Sequence, residues 1–235
     1  MLKSILQSAL NIIIPPACHI CGGAADNYIC ANCKQGINFI LGAVCTICGL
    51  PFVSKESSPH MCGECIKKKP KFAMARSIAE YNGVLLEAIH KFKYNAKTSL
   101  AKPLGLLMAE RLPLNNYNVI VPVPLHKRRL KERGFNQSLL LAREISKKHN
   151  TPIDYLNLKR IRFTEPQINL KGEERLKNVR GSFAVEDARV FKNKNILLVD
   201  DVYTTGATVM ECSKVLKKSG AKDIFVLTLA RVCRV

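Results

Sequence analysis

Apolar and polar residues alternate in this chain with two different rhythms. Ile196-Leu-Leu-Val199 is a short unbroken apolar run, the pattern of a strand buried on both faces of a parallel sheet. Behind it come Asp200-Asp201, then Thr204-Thr-Gly-Ala-Thr208, then a helix to about Ser219. That helix places Val209, Cys212, Val215 and Leu216 on one face and Lys214, Lys217 and Lys218 on the other, with Gly220 as its stop. The same reading predicts a strand at Arg76–Tyr81 and a helix at Val84–Phe92, with Leu85, Ala88, Ile89 and Phe92 inward. A helix at Thr98–Leu112 tolerates Pro103 near its first turns. Val119–His126 is a strand running into a proline-stiffened loop, Phe135–His149 a helix, and Asp223–Val232 a last strand. Periodicity fades over 163–190, which predicts an exposed arm or flap.

Strands alternating with helices predict an α/β domain over 71–235, with a mostly parallel sheet flanked by helices. The first 70 residues follow another logic and form a small module of their own. A chain of 235 residues with 47% apolar composition holds enough for a real core. Met1–Ile14 is interrupted by Ser4, Gln7, Ser8 and Asn11 and lacks a small-residue cleavage site, so it predicts a short amphipathic helix rather than a signal peptide. No stretch reaches ~18 uninterrupted apolar residues, so a membrane span is not expected and a cytoplasmic location is.

Residues 18–65 carry four Cys-x-x-Cys pairs: Cys18/Cys21, Cys30/Cys33, Cys45/Cys48 and Cys62/Cys65. Each pair offers two thiolates to a tetrahedral zinc ion, and glycine follows Cys21 and Cys48, where a tight turn favours positive φ. Sequential closure gives one site from the first four cysteines and a second from the last four, in a tandem zinc ribbon; an interleaved pairing is left open by spacing alone. His19 and His60 stand beside these ligands, but four cysteines per site leave them no vacancy. Zinc fully enclosed by sulfur is structural rather than catalytic. A disulfide framework would need an oxidising compartment, of which the chain carries no sign. Cys212 and Cys233 have no such partner and read as buried small apolar residues.

The formal net charge is +19, and falls to about +15 once each tetrathiolate zinc contributes −2. Such a field favours polyanions, nucleic acid among them, and equally suits a phosphate-rich small ligand. The cations concentrate at Lys127, Arg128, Arg129, Lys131 and Arg133, which read as a continuation of the loop between the second strand and its helix, either neutralising a bound phosphate group or standing free on the surface. They are the candidate nucleic-acid contacts. Lys67-Lys-Lys-Pro-Lys71 reads as a solvated linker. Lys93 is either an exposed helix-end cation or a group aimed at an anion site.

A carboxylate pair at the carboxyl end of a parallel strand lies where open α/β sheets bind ligands. The adjoining threonine turn presents backbone N–H groups and hydroxyls at a helix start, a cradle for phosphate. No Gly-x-x-x-x-Gly-Lys-Ser/Thr occurs, which excludes a P-loop ATPase. The order of these residues resembles the phosphoribosyl-pyrophosphate (PRPP) loop of the type I phosphoribosyltransferases. That resemblance implies Asp200 and Asp201 as ribose ligands and catalytic residues, and Thr204, Thr205, Gly206, Ala207 and Thr208 as the 5′-phosphate loop. It also implies PRPP with Mg²⁺ as ligand, its pyrophosphate at Pro124, Leu125 and His126.

Together, the cysteine-rich ribbon, Val121-Pro-Val-Pro-Leu-His126, Arg133-Gly-Phe-Asn-Gln137 and Val199-Asp-Asp-Val-Tyr-Thr-Thr-Gly206 look like the ComF family of late-competence proteins, including its GntX-like members. The stretch Lys159-Arg-Ile-Arg162 to Gln167, then Arg175, Asn178 and Gly181-Ser-Phe183, is similar to that family too. The resemblance implies a protein that handles single-stranded DNA during natural transformation, with a PRPP-binding domain whose reaction family membership does not settle. Its other implied reading is an active phosphoribosyltransferase with an unidentified nucleobase or nucleotide acceptor. A DNA-uptake helicase or channel protein is the implied protein partner. Aromatics are only 6% of residues and Trp is absent, so modest base stacking and poor sequence preference are expected. Asn136 and Gln137 either orient a ligand or cap the helix, and the cap is the favoured reading.

Overall fold

A computed structural model of the chain describes residues 17–25, 28–52, 58–113, 116–164 and 172–233. The helix expected over Met1–Ile14, and Gln167, lie outside them. The α/β part is built on a parallel sheet of four strands: β1 (Met74–Glu80), β2 (Val119–Pro122), β5 (Asn195–Tyr203) and β6 (Asp223–Arg231), in the order β1-β6-β5-β2. Helices α3 (Gly83–Tyr94), α4 (Ala101–Glu110), α5 (Lys127–Arg133), α6 (Gln137–His149), α7 (Gly172–Val179) and α8 (Ala207–Lys218) accompany it, with a small antiparallel pair, β3 (Leu158–Arg160) and β4 (Phe183–Val185). Two short helices, α1 (Ala31–Gln35) and α2 (Gly63–Lys67), belong to the cysteine-rich module.

Alternation along β5 shows why the strand is apolar throughout. Leu197 and Val199 pack into the cluster that holds Leu104 and Met108 of α4 and Leu141, Ala142 and Ile145 of α6. Ile196 and Leu198 face the opposite way, onto Val209, Cys212 and Leu216 of α8 and onto Phe191. The strand is therefore covered on both sides, as its unbroken hydrophobicity demands. The expected inward set of α3, Leu85, Ala88, Ile89 and Phe92, is fully buried.

Three expectations need correction. The acid pair does not end its strand: β5 continues through Asp200 and Asp201 to Tyr203, because its ladder with β6 persists as far as Tyr203 opposite Arg231. The basic run after His126 is not loop but helix α5, capped by the His126 ring, which accepts from the Arg128 N–H, and stopped by Gly134 at φ +82. Among the described residues of 163–190, α7, β4 and a 3-10 turn at Ala188–Val190 replace the expected flap, and Val179 and Phe183 are buried. Cys212 is buried as expected, whereas Cys233 is only half-buried.

The cysteine-rich module straddles the sheet at β1. Cys18, Ile20, Ile29, Cys33 and Ile37 join the cluster on the α4/α6 face, while Cys45, Cys48, Cys62 and Cys65 join the α8 face. The chain between them runs along the outer edge of β1, with Phe39 bridging Ala79, Ile40 N–H on the Ile78 carbonyl and Ala75 N–H on the Ile47 carbonyl. An edge strand is thereby covered. No helix among the described residues is long and apolar enough to cross a membrane.

Candidate functional site

The cysteine pairing is sequential. Cys18, Cys21, Cys30 and Cys33 bring their Sγ atoms within 4.8 Å of one another, and so do Cys45, Cys48, Cys62 and Cys65. In each site the first pair sits on a knuckle with a left-handed glycine, Gly22 at φ +79 and Gly49 at φ +72. The second pair opens a short helix: Cys30 and Cys62 are the N-caps of α1 and α2. A tetrahedron with Zn–S bonds of about 2.3 Å has S···S edges of about 3.8 Å. The Cys21–Cys30 and Cys48–Cys62 sulfurs lie 3.7 Å apart, so both donor sets fit zinc. Backbone N–H groups already point at sulfur, Cys33 to Cys30 Sγ at 3.4 Å and Cys62 to Cys45 Sγ at 3.3 Å, which disperses thiolate charge. The second site is buried throughout; the first exposes Cys21.

The other site lies at the carboxyl end of the sheet. β2 leaves β5 at Pro122, opposite Val199, so from Asp200 onward β5 has a strand neighbour on one side only among the described residues. The opening is a cleft of about 210 Å³. Asp200, Asp201, Thr204 and Thr208 form its floor, Lys93, Arg129, Arg133 and Arg160 contribute cations, and Tyr94, Leu125, Gln137 and Thr164 complete much of its wall. Gly206 turns β5 into α8 at φ +76, and Thr205 Oγ1 accepts from the Ala207 N–H at 3.4 Å.

The acids are almost enclosed, Asp200 at 8% and Asp201 at 4% exposure. Lys93 pairs with Asp201 Oδ2, and Gln137 Nε2 donates to Asp201 Oδ1 at 3.4 Å. Asp200 Oδ1 accepts from Ser138 Oγ at 2.9 Å and from the Asp201 N–H at 3.0 Å. Burial and the neighbouring Asp201 charge push Asp200 up to about 7. Burial acts on Asp201 in the same direction, but the Lys93 ammonium outweighs it and holds that carboxyl below its usual range. The pair therefore keeps one proton near neutrality, and a cation placed against Asp200 would compete with it.

The sequence-derived residues are only partly assembled. Asp200, Asp201, Thr204, Thr208, Leu125, Arg129 and Arg133 converge on the cleft. Pro124 is half-buried outside its lining, and His126 caps α5 with its ring against Phe163. Lys127, Arg128 and Lys131 face solvent, Arg128 paired with Glu132 at 3.1 Å. Asn136 is the expected cap, its Oδ1 accepting from the N–H groups of Ser138 and Leu139. Gln137 is not: it is buried, accepting from Arg133 at 2.5 Å and donating to Asp201. Ser138 and Tyr94 carried no local signal, and Arg160 stood in the Lys159–Arg162 stretch without a role of its own. Arg160 reaches the cleft from β3, donates through Nη2 to Thr164 Oγ1, and leaves Nε without a hydrogen-bond partner among the described residues.

Two four-cysteine zinc sites fused to a parallel α/β domain define the class: a zinc-ribbon protein whose α/β domain opens a carboxylate and threonine cleft at the carboxyl end of its sheet. Residues 9–66 match the model of the double zinc ribbon domain family. A DNA utilization protein YhgH of Salmonella typhi is 32% identical over 232 residues, spanning 94% of this chain and 99% of that protein. Competence protein F of Haemophilus influenzae is 30% identical over 223 residues, spanning 87% and 97%. The chain belongs to this family of competence protein F and YhgH proteins, the ComF family that its motifs resemble. Solved structures similar to it include a glutamine PRPP amidotransferase from B. subtilis, with 21% identity and a TM-score of 0.39 over 55% of this chain and 25% of that one. A purine phosphoribosyltransferase from Pyrococcus horikoshii has 22% identity and a TM-score of 0.37 over 55% and 72%. At these scores the likeness carries nothing about substrate.

Proposed function

We propose that residues 71–235 bind a ribose phosphate, PRPP with Mg²⁺, and that the protein uses this domain in handling single-stranded DNA during natural transformation. The observation that carries the reading is the cleft itself: a buried acid pair beside a threonine turn at a helix start, faced by Arg129, Arg133 and Arg160. Acids suit ribose hydroxyls and a divalent cation, the turn suits a phosphate, and the arginines suit a second phosphate group. Ribbon residues 1–70 then serve as the structural zinc module, and a helicase or channel of the uptake machinery is the protein partner.

For the DNA strand there are two aromatic and arginine pairs: Arg133 lies 5.5 Å from the Tyr94 ring centre at the cleft, and the solvent-facing Arg128 lies 4.7 Å from that of Phe163. Such pairs stack bases without selecting among them. The test is single-strand binding across a salt series. Affinity falls steeply as salt rises, and replacing Arg128, Arg129 and Arg133 together by alanine weakens it and flattens the slope by about two to three. Unchanged affinity and slope would refute this DNA face. Calorimetry with Mg²⁺ and PRPP tests the cleft, where Asp201→Asn abolishes binding.

A transferase reading has one observation in its favour. Asp200 holds a proton near neutrality inside the cleft, as a general acid must. Pyrophosphate release from PRPP that requires both Asp200 and one nucleobase or nucleotide acceptor would establish it.

A further inference from the structure

The second cysteine site and the threonine turn lie on the same side of the sheet, and one buried cation spans the distance between them. Arg231, 5% exposed, ends β6 in register with Tyr203 at the end of β5. Its Nη1 donates to the Cys48 carbonyl at 2.7 Å, and Nη2 lies 3.8 Å from Cys48 Sγ. The same guanidinium stands 4.2 Å from the centre of the Tyr203 ring. Tyr203, also 5% exposed, packs directly against the turn: a Cβ at Gly206 would stand 2.3 Å from its Oη and 2.5 Å from its Cζ. Metal ligand, guanidinium, phenol ring and turn glycine are thus four bodies in successive contact.

Electrostatics explains why the guanidinium is held there. Four thiolates around one divalent ion leave a net charge of −2, which a buried site must balance with nearby cations. Arg76 and Arg231 are in contact with this site, Arg76 through the carbonyls of Cys45 and Thr46. Only the second of them also touches the turn support. A guanidinium is a rigid planar fork, so fixing one edge on Cys48 fixes its face against Tyr203. The first cysteine site is tied to the opposite face of the sheet, through Lys91 on the Ile20 carbonyl and Ser99 on His19.

We propose that Arg231 and Tyr203 are positioning residues that couple the second cysteine site to the 204–208 turn, so that metal held by Cys45, Cys48, Cys62 and Cys65 sets the turn's affinity for a phosphate group. The inference rests on the phosphate-cradle reading of the turn. Coupling is reciprocal: a ligand that favours the ordered turn also slows metal loss from the second site and leaves the first unchanged.

The experiment compares the full zinc-loaded chain with Arg231→Met, Tyr203→Leu and Arg231→Lys. Amide hydrogen exchange at 204–208 is expected to speed up about tenfold in the first two, with exchange at 18–33 unchanged. Arg231→Lys keeps the charge without the fork and recovers metal retention more than turn protection. Mg²⁺ with PRPP slows chelator-driven release of one of two zinc ions from the wild type, and Arg231→Met loses that protection. Unchanged exchange at 204–208 in both Arg231→Met and Tyr203→Leu would overturn the coupling, whatever binds there. Failure of PRPP to bind the wild type, with the exchange effect present, would instead remove the ligand reading and leave the coupling standing.

Discussion

Replacing Asp200 with asparagine should make the free protein more stable while removing its ligand. Asp200 titrates near 7 in the fold instead of at its ordinary 3.8, because burial and the Asp201 charge both disfavour its ionised form. A folded-state pKa raised in this way gives stability that is fully present below the unfolded pKa. It is lost as pH rises through the window from 3.8 to about 7. At ~1.4 kcal/mol per unit the full loss is about 4 kcal/mol. Asparagine never ionises, and its Oδ1 can still accept from Ser138 Oγ and the Asp201 N–H. Asp200→Asn should therefore match the wild type at the acid end and exceed it progressively, by up to about 4 kcal/mol above pH ~7. Urea unfolding of both proteins at intervals between about pH 5 and about pH 8 measures the gap, with m-values checking that the unfolded states stay comparable. A gap that does not grow with pH, or a variant less stable at the alkaline end, would refute the buried-proton account. Loss of Mg²⁺ and PRPP binding in the same preparation completes the expected pattern of an active cleft held at a cost in stability.

Two further outcomes follow from the cleft. Lys93→Met strands the Asp201 charge in a site where it is 4% exposed and should cost about 3–5 kcal/mol in chemical denaturation; adding Asp201→Asn should recover most of it, as a double-mutant cycle would record. Gly206→Ala forces a Cβ onto Tyr203 at a φ of +76, so it should lower the unfolding free energy by about 1–3 kcal/mol and weaken PRPP binding in calorimetry far more than any exposed glycine exchange.

What the sequence discloses about this fold depends on whether the informative residues are contiguous. The strand, acid pair, threonine turn and helix of 195–218 stand in one run, so their order alone locates the opening of the sheet. The cysteine pairs disclose two metal sites for the same reason, and glycines after Cys21 and Cys48 foretell the left-handed turns. Sequential pairing is the simplest closure, but spacing does not exclude interleaving, so the geometry of the sulfurs decides it. Gln137 and Arg160 stand in stretches that resemble the family, but their contacts, like those of Ser138, were hidden because each reaches the cleft across the fold; Gln137 and Ser138 are 64 and 62 residues from the acids they bind. The basic run looked like loop because its charges obscure any apolar stripe, yet nothing in Lys127–Arg133 opposes a helix before Gly134. The acid pair looked like a strand end because charge usually marks one; here pairing with β6 carries the strand on.

Arg231 also bears on how the chain reaches this state. The carbonyl it caps belongs to Cys48, 183 positions earlier in the chain, and among the described strands β1 pairs with β6. A chain emerging amino end first therefore exposes its ribbons and first strand long before the residues that complete them are synthesised. Contacts this distant along the sequence close slowly. Until they close, β1 offers a free edge and the buried metal site lacks one of its balancing cations, which makes the interval of synthesis the time of greatest exposure to misassembly.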